Sequence, residues 1–183
     1  MTIILYGASG SGKTSAAKEL SKELGLPHLE ADEIRKAGKK GKSPKTDPFF
    51  FLTTAEAYQA LGPRTPENII KGMLEVRNAY RDLILKEIAT YAKGCIVEAA
   101  FLDPASLKTL GPIALIAVPS EERHRLLFFA NRTEHPLNHG QLENTRILQN
   151  YLIEEATRLN ISVIENDAEP KLMAAKIKSV LKL

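Results

Sequence analysis

Cysteine occurs once in this chain, at Cys95, so no disulfide can close within it. Its place in the apolar run Cys95-Ile96-Val97 fits a buried thiol rather than a reactive one. No apolar run approaches the roughly 20 residues of a membrane-spanning helix. The first residues also lack the basic-then-apolar order of a secretion signal, since Lys13 follows the apolar stretch, and a cytoplasmic protein with no membrane partner is the expectation. No internal repeat is visible. Acids are missing from one segment: Arg35, Lys36, Lys39, Lys40, Lys42 and Lys45 stand together with no Asp or Glu between them. These six cations make the net charge +3, and without them it is −3. An electropositive patch for an anionic substrate or nucleic acid and a solvated flexible loop both fit that run. The aromatic interleaving that binds single-stranded nucleic acid is missing from it.

What is present is ordinary in bulk and specific in pattern. At 183 residues, with 44% apolar and 26% charged residues, the chain has enough apolar material for one well-packed domain over 1–183. Apolar runs at Ile3 to Tyr6, His28 to Ala31, Cys95 to Phe101, Ile113 to Val118 and Ile161 to Ile164 read as strands. Between them run helical patterns, the longest opening at Thr65-Pro66-Glu67 with Thr65 as cap and keeping a three-to-four apolar spacing through Ile88. Short helices are expected from Thr54 to Leu61 and from Asp32, with Asp32 as its cap; others run from Gln141 to Leu159 and from Lys171 to Leu183. Alternation of this kind predicts an α/β fold: a three-layer α/β/α sandwich with about five parallel strands and helices on both faces.

The first strand runs into Gly7-Ala-Ser-Gly-Ser-Gly-Lys-Thr14, the spacing G-x-x-x-x-G-K-T of a phosphate-binding P-loop, with a helix pattern directly behind it. Glycines let the backbone wrap a phosphate chain and turn several N–H groups inward, and the positive end of the next helix favours the same anion. Gly7, Ser9, Gly10, Ser11, Gly12, Lys13, Thr14 and Ser15 are therefore the candidate nucleotide-binding residues, with Lys13 on the outer phosphates and the Thr14 hydroxyl on Mg²⁺. The glycines fall as G-x-x-G-x-G with a lysine at once behind them, which fits a dinucleotide fingerprint poorly. ATP and Mg²⁺ are the expected cofactors, with GTP not separated from ATP.

Five further positions carry candidate chemistry. Asp32 stands at the C-terminal end of a strand, the edge where ligands bind in open parallel sheets, and is the candidate to orient or deprotonate an acceptor hydroxyl. Glu98 is the only charge in its apolar strand; either it orients Mg²⁺ with Thr14 and meets the substrate, or it is a strand-end acid bonded to nearby backbone. Arg132 and Arg146 flank a segment, 131–146, irregular enough to be a lid. Arginines there would neutralise a moving phosphoryl group while the lid excludes water, and each alone is also compatible with a surface salt bridge. Arg35 and the lysines behind it, in a basic loop around 35–48, are placed to meet an anionic acceptor. His135 and His139 have the spacing of a helical metal pair, but Pro136 argues against a helix and no third ligand is evident.

The P-loop, the helix opened by Arg64-Thr-Pro-Glu67, the strand with Glu98, Ser120-Glu-Glu-Arg-His-Arg125, and Arg146 to Ala156 leading to Val163-Ile-Glu-Asn166 cover most of the chain. In these stretches it resembles the 2-phosphoglycerate kinase family, small P-loop kinases of the nucleoside-monophosphate-kinase group. The resemblance implies transfer of the terminal phosphate of ATP to the free hydroxyl of 2-phosphoglycerate, a small anionic acceptor. A nucleoside or nucleotide kinase would use the same architecture. A P-loop nucleotide switch that binds nucleic acid is the alternative from another class; nucleic acid is not expected as a partner, because the chain has no second basic face. Monomer and homodimer both remain open.

Overall fold

The computed structural model describes every residue except 131 and 133–135, and for 31, 32 and 136–138 it describes the backbone alone. The elements in chain order are β1 (Ile3–Tyr6), α1 (Lys13–Leu24), β2 (His28–Glu30), α2 (Ala31–Gly38), α3 (Pro66–Ala89), β3 (Ile96–Ala99), α4 (Pro104–Leu107), β4 (Ile113–Ala117), α5 (Glu121–Phe129), α6 (Pro136–Arg158), β5 (Ser162–Glu165) and α7 (Pro170–Leu181). Short 3-10 turns at Pro48–Phe50 and Ala57–Ala60 interrupt the long connection between α2 and α3.

The strands form one five-stranded sheet in the order β2-β3-β1-β4-β5, with every neighbouring pair parallel. Successive side chains of a strand face opposite ways, so β1 contributes to two cores. Ile4 and Tyr6 join Val97, Leu115 and the inner faces of α3 and α6, with Met73, Val76, Tyr80, Leu148 and Leu152. Ile3 and Leu5 join Ile96, Ala114, Ile116 and Ile164 beneath α1 and α7, with Ala16, Leu20, Met173 and Ile177. The expected three layers follow, and because all strands run one way their C-terminal ends share one edge. Across the first core the buried Arg77 ties α3 to α6, donating to both oxygens of the partly buried Glu155, at 2.7 and 2.9 Å.

Caps at several boundaries are local and follow the sequence. Thr65 accepts from Asn68 N at the start of α3, and Ser120 accepts from Arg123 N at the start of α5. Several expected boundaries move, among them the helix expected from Thr54 to Leu61, which is a 3-10 turn over Ala57–Ala60. The cap of α2 is Glu30, without a side-chain bond, so Asp32 lies inside the first turn rather than capping it. The strand expected to reach Phe101 ends at Ala99, which frees Ala100 and Phe101 to turn toward the strand ends. The helix expected from Gln141 begins at Pro136. Proline is tolerated at a first helical position because its missing N–H has no partner there in any case. His139 is therefore helical, while His135 lies outside the described residues, as does most of the first part of the expected lid. Cys95 is buried as expected, and burial pushes its thiol up.

Candidate active site

The phosphate loop lies between the end of β1 and the first turn of α1, at the C-terminal edge of the sheet. Its glycines are required by contacts as well as by turns. Gly10 has φ +75°, and a Cβ there would sit 2.9 Å from Phe128 Cα of α5. Gly12 has φ +80°, and its Cβ would run into the Asn166 side-chain amide. That amide is bound to the loop itself: Asn166 Nδ2 donates to the Ser11 carbonyl at 2.9 Å, and His124 Nε2 lies 2.8 Å from the Ser9 carbonyl. Arg123 in turn donates to the Asn166 and Ala168 carbonyls, both at 2.9 Å. With the Ser9 and Ser11 carbonyls tied outward to α5 and to the end of β5, the loop is pre-organised to present N–H groups inward. The first turn of α1 carries no acid, so its positive end is left for an anion.

Lys13 lies folded against this loop, with Nζ 3.3 Å from the Ala8 carbonyl. Thr14 Oγ1 donates to Glu98 Oε1 at 2.9 Å across the β1–β3 pairing. The Glu98 side chain is 7% exposed, and His28 Nε2 stands 3.8 Å from the same oxygen, beyond hydrogen-bonding distance. Burial pushes the Glu98 carboxyl up, but the imidazole, the Lys13 charge and the Thr14 hydroxyl together outweigh it and hold the group below its ordinary value. An ionised carboxylate beside a threonine hydroxyl is a hard oxygen pair of the kind Mg²⁺ takes together with substrate phosphates. Among the described residues no group of three or more His, Cys, Asp or Glu could hold a metal by itself.

Two clefts flank Lys13. One, of about 260 Å³, is lined by Ser9, Gly10, Lys13, Thr14, Glu98, Arg35, Thr53, Thr54, Phe101 and Arg132. The second, of about 320 Å³, runs past Gly12, Thr14 and Ser15 to Leu127, Ala130 and Arg132. Arg35 is fixed: its Nη2 donates to the Leu52 carbonyl at 2.6 Å, and its guanidinium stacks over Tyr80 and Phe101 at 5.6 and 5.3 Å. Arg132 lies over the Phe128 ring at 4.2 Å and donates to the Phe128 carbonyl.

The structure thus brings together the loop residues, Thr14, Glu98, Arg35 and Arg132. It does not bring Arg146 to them: its guanidinium donates to the carbonyls of Val118 and Pro119, at 2.8 and 3.2 Å, and it lines neither cleft. The Asp32 side chain lies outside the described residues; its backbone starts the helix that delivers Arg35. Thr53, Thr54, Phe101, His28, His124 and Asn166 were not singled out from sequence. Their partners lie 70 to 155 positions away for the histidines and Asn166, and no local pattern announces them.

His124 is completely buried, and its Nδ1 has no hydrogen-bond partner among the described residues. Burial first, then the charges of Arg146 and Lys13, push its pKa down against the pull of the Ser9 carbonyl. The Ser9 carbonyl can only accept, so Nε2 carries a proton and donates to it.

Set beside known proteins, the chain is 30% identical over 103 residues to an adenylate kinase from Ruminiclostridium cellulolyticum, a match covering 56% of this chain and 45% of that protein. The chain spans about half the length of the curated relatives it matches. In structure it is similar to a shikimate kinase from Acinetobacter baumannii in complex with shikimate, with a TM-score of 0.63, 20% identity, and 99% and 93% of the two chains covered. It is also similar to a deoxyadenosine kinase from M. mycoides with bound dATP, with a TM-score of 0.57, 14% identity and both chains covered fully. At these identities the structural likeness establishes the fold. The match that carries membership runs from the first strand to the start of α6: over residues 2–139 this chain belongs to the AAA domain family.

Proposed function

We propose that the protein transfers the terminal phosphate of ATP, with Mg²⁺, to a hydroxyl of a small anionic metabolite. The observation that carries this reading is the cleft of about 260 Å³ that Lys13, Thr14 and Glu98 line together with Arg35, Thr53, Thr54 and Arg132. Phosphoryl transfer asks a protein mainly for placement and charge neutralisation, and those are the groups on hand. The loop N–H groups and Lys13 would hold the phosphates. Thr14 and Glu98 would hold Mg²⁺, which supplies charge neutralisation on the phosphate oxygens when bound. Arg35 would grip the acceptor's anion, Thr53 and Thr54 its polar atoms, and Arg132 the charge that develops between the two clefts. Asp32 is the proposed base for the acceptor hydroxyl, with Glu98 second. Arg146 is better placed to hold the end of β4 than to touch substrate.

The same cleft favours a compact anion over a nucleoside. Its volume lies below the range of about 300–1,000 Å³ usual for drug-sized ligands. Among the described residues its one aromatic ring, Phe101, is already stacked by Arg35 and packed on Tyr80, so it is not open to a base. 2-Phosphoglycerate, with a phosphate, a carboxylate and a free hydroxyl, suits that cleft and heads the acceptors to test.

The test is Mg²⁺-dependent transfer from ATP to 2-phosphoglycerate, shikimate, gluconate, nucleosides and nucleoside monophosphates side by side, with Lys13→Ala as blank. A labelled small anion, absent in the blank, is expected. A labelled nucleoside would overturn the acceptor class and leave the kinase reading standing; hydrolysis alone across the panel would overturn both.

A further inference from the structure

The part of the cleft wall that Thr53 and Thr54 supply belongs to a connection with little regular structure, so something else must fix it. The bonds lead to the first turns of α6. Gln141 Nε2 donates to Glu56 Oε1 at 2.5 Å, and the other oxygen of the same carboxylate accepts from the Thr53 hydroxyl at 2.7 Å. One helical turn on, the buried Asn144 donates from Nδ2 to the Ala55 carbonyl at 2.8 Å. Its Oδ1 accepts from Arg64 Nε at 2.7 Å, and Arg64 also pairs with Glu143. Gln141 and Asn144 lie three apart on one helix face and take hold of Glu56 and Ala55, the residues directly behind Thr53 and Thr54 in the chain.

Resting on the phosphotransfer reading above, we infer that Gln141 and Asn144 are positioning residues that set acceptor affinity and specificity from α6, through Glu56 and Ala55, without touching the acceptor. α6 is itself anchored to the sheet: Gln149 donates to and accepts from the backbone of Val118, and Arg146 holds the Val118 and Pro119 carbonyls. The acceptor wall is thereby referred to the end of β4, two strands from Glu98, rather than to its own chain neighbours. The nucleotide side has separate anchors, in His124 and Asn166. A change at Gln141 therefore reaches one substrate and spares the other.

The test uses Gln141→Glu, which sets two carboxylates face to face, and Gln141→Glu with Glu56→Gln, which restores a donor and an acceptor with their places exchanged. On the acceptor found in the panel above, the single variant is expected to raise KM for that acceptor about ten-fold while KM for ATP and kcat stay within about two-fold, and the double variant to recover most of the loss. Hydrogen exchange at the Glu56 and Ala57 amides, both bonded to the Thr53 carbonyl, is expected to quicken in the single variant and recover in the double. An unchanged acceptor KM, an equal rise in KM for ATP, or no recovery in the double variant would overturn the inference. If the wild type phosphorylates none of the panel, the functional reading fails by itself; unchanged exchange at those amides would then overturn the structural half of the inference as well.

Discussion

Replacing His124 tests whether the phosphate loop is held from outside. His124→Leu keeps the volume of the buried side chain and removes the donor to the Ser9 carbonyl, a bond of 2.8 Å. A buried carbonyl left without its donor costs about 1–3 kcal/mol. The imidazole's unpartnered Nδ1 disappears at the same time, which offsets part of that loss, and a net cost of about 1–2 kcal/mol remains. Part of it falls on folding. Part falls on nucleotide binding, because a loop freed at Ser9 must be re-ordered around the phosphates, and 1–2 kcal/mol corresponds to roughly a 5–30-fold change in an equilibrium. Titration calorimetry with ADP and urea unfolding at pH 7.5 measure the two shares, and His124→Gln, which can still donate, should lie close to wild type.

A second signature comes with pH. The folded pKa of His124 lies below the ordinary 6.5, so the neutral ring is the form the fold favours. Its contribution to stability is fully present above 6.5 and is lost as pH falls from there through the lowered folded value. Wild type should therefore lose stability below pH 6.5 more steeply than His124→Leu. Wild-type affinity for ADP in the leucine variant, together with unchanged stability and the same acid slope, would refute the idea that this histidine holds the loop.

Two other variants probe the remaining parts of the site. Glu98→Gln should weaken the Mg²⁺ requirement's steepness and lower turnover about 10²-fold, while Asp32→Asn should lower turnover by about 10²–10⁴ with folding intact; near-normal turnover in either variant removes that carboxylate from the proposed chemistry. Gly72→Ala in α3 gains up to about 1 kcal/mol of helix propensity, but its new Cβ would lie 2.5 Å from Tyr58 N and 2.6 Å from Ala57 C, backbone atoms that cannot rotate aside. Overlap of that kind costs about 1–3 kcal/mol, so a lower urea midpoint is expected, with the acceptor KM rising more than the ATP KM because Ala57 follows the cleft wall; a raised midpoint would show that α3 and the 3-10 turn slide apart freely.

What the sequence determined by itself is what depends on near neighbours. The P-loop could be read because its glycines, Lys13 and Thr14 are consecutive, and strand, turn and helix each have a short-range signature. The five parallel strands followed from apolar runs alternating with helical patterns, and Thr65 announced its helix because a cap bonds only three residues ahead. Where a local rule misled, another local fact explains it: Pro136 reads as a break but is accepted at a first helical position. The tertiary structure decided which distant residues meet. Glu98 was legible as a lone charge in a strand, yet only the β1–β3 pairing sets it against Thr14, 84 positions earlier, and β2 beside it brings His28. Arg146 shared its sequence credentials with Arg132, and the fold spends it on the Val118 and Pro119 carbonyls. Thr53, Thr54, His124 and Asn166 have no pattern of their own, because a side chain that holds a backbone carbonyl more than a hundred positions away, as His124 and Asn166 do, is selected by packing geometry and leaves no periodicity behind.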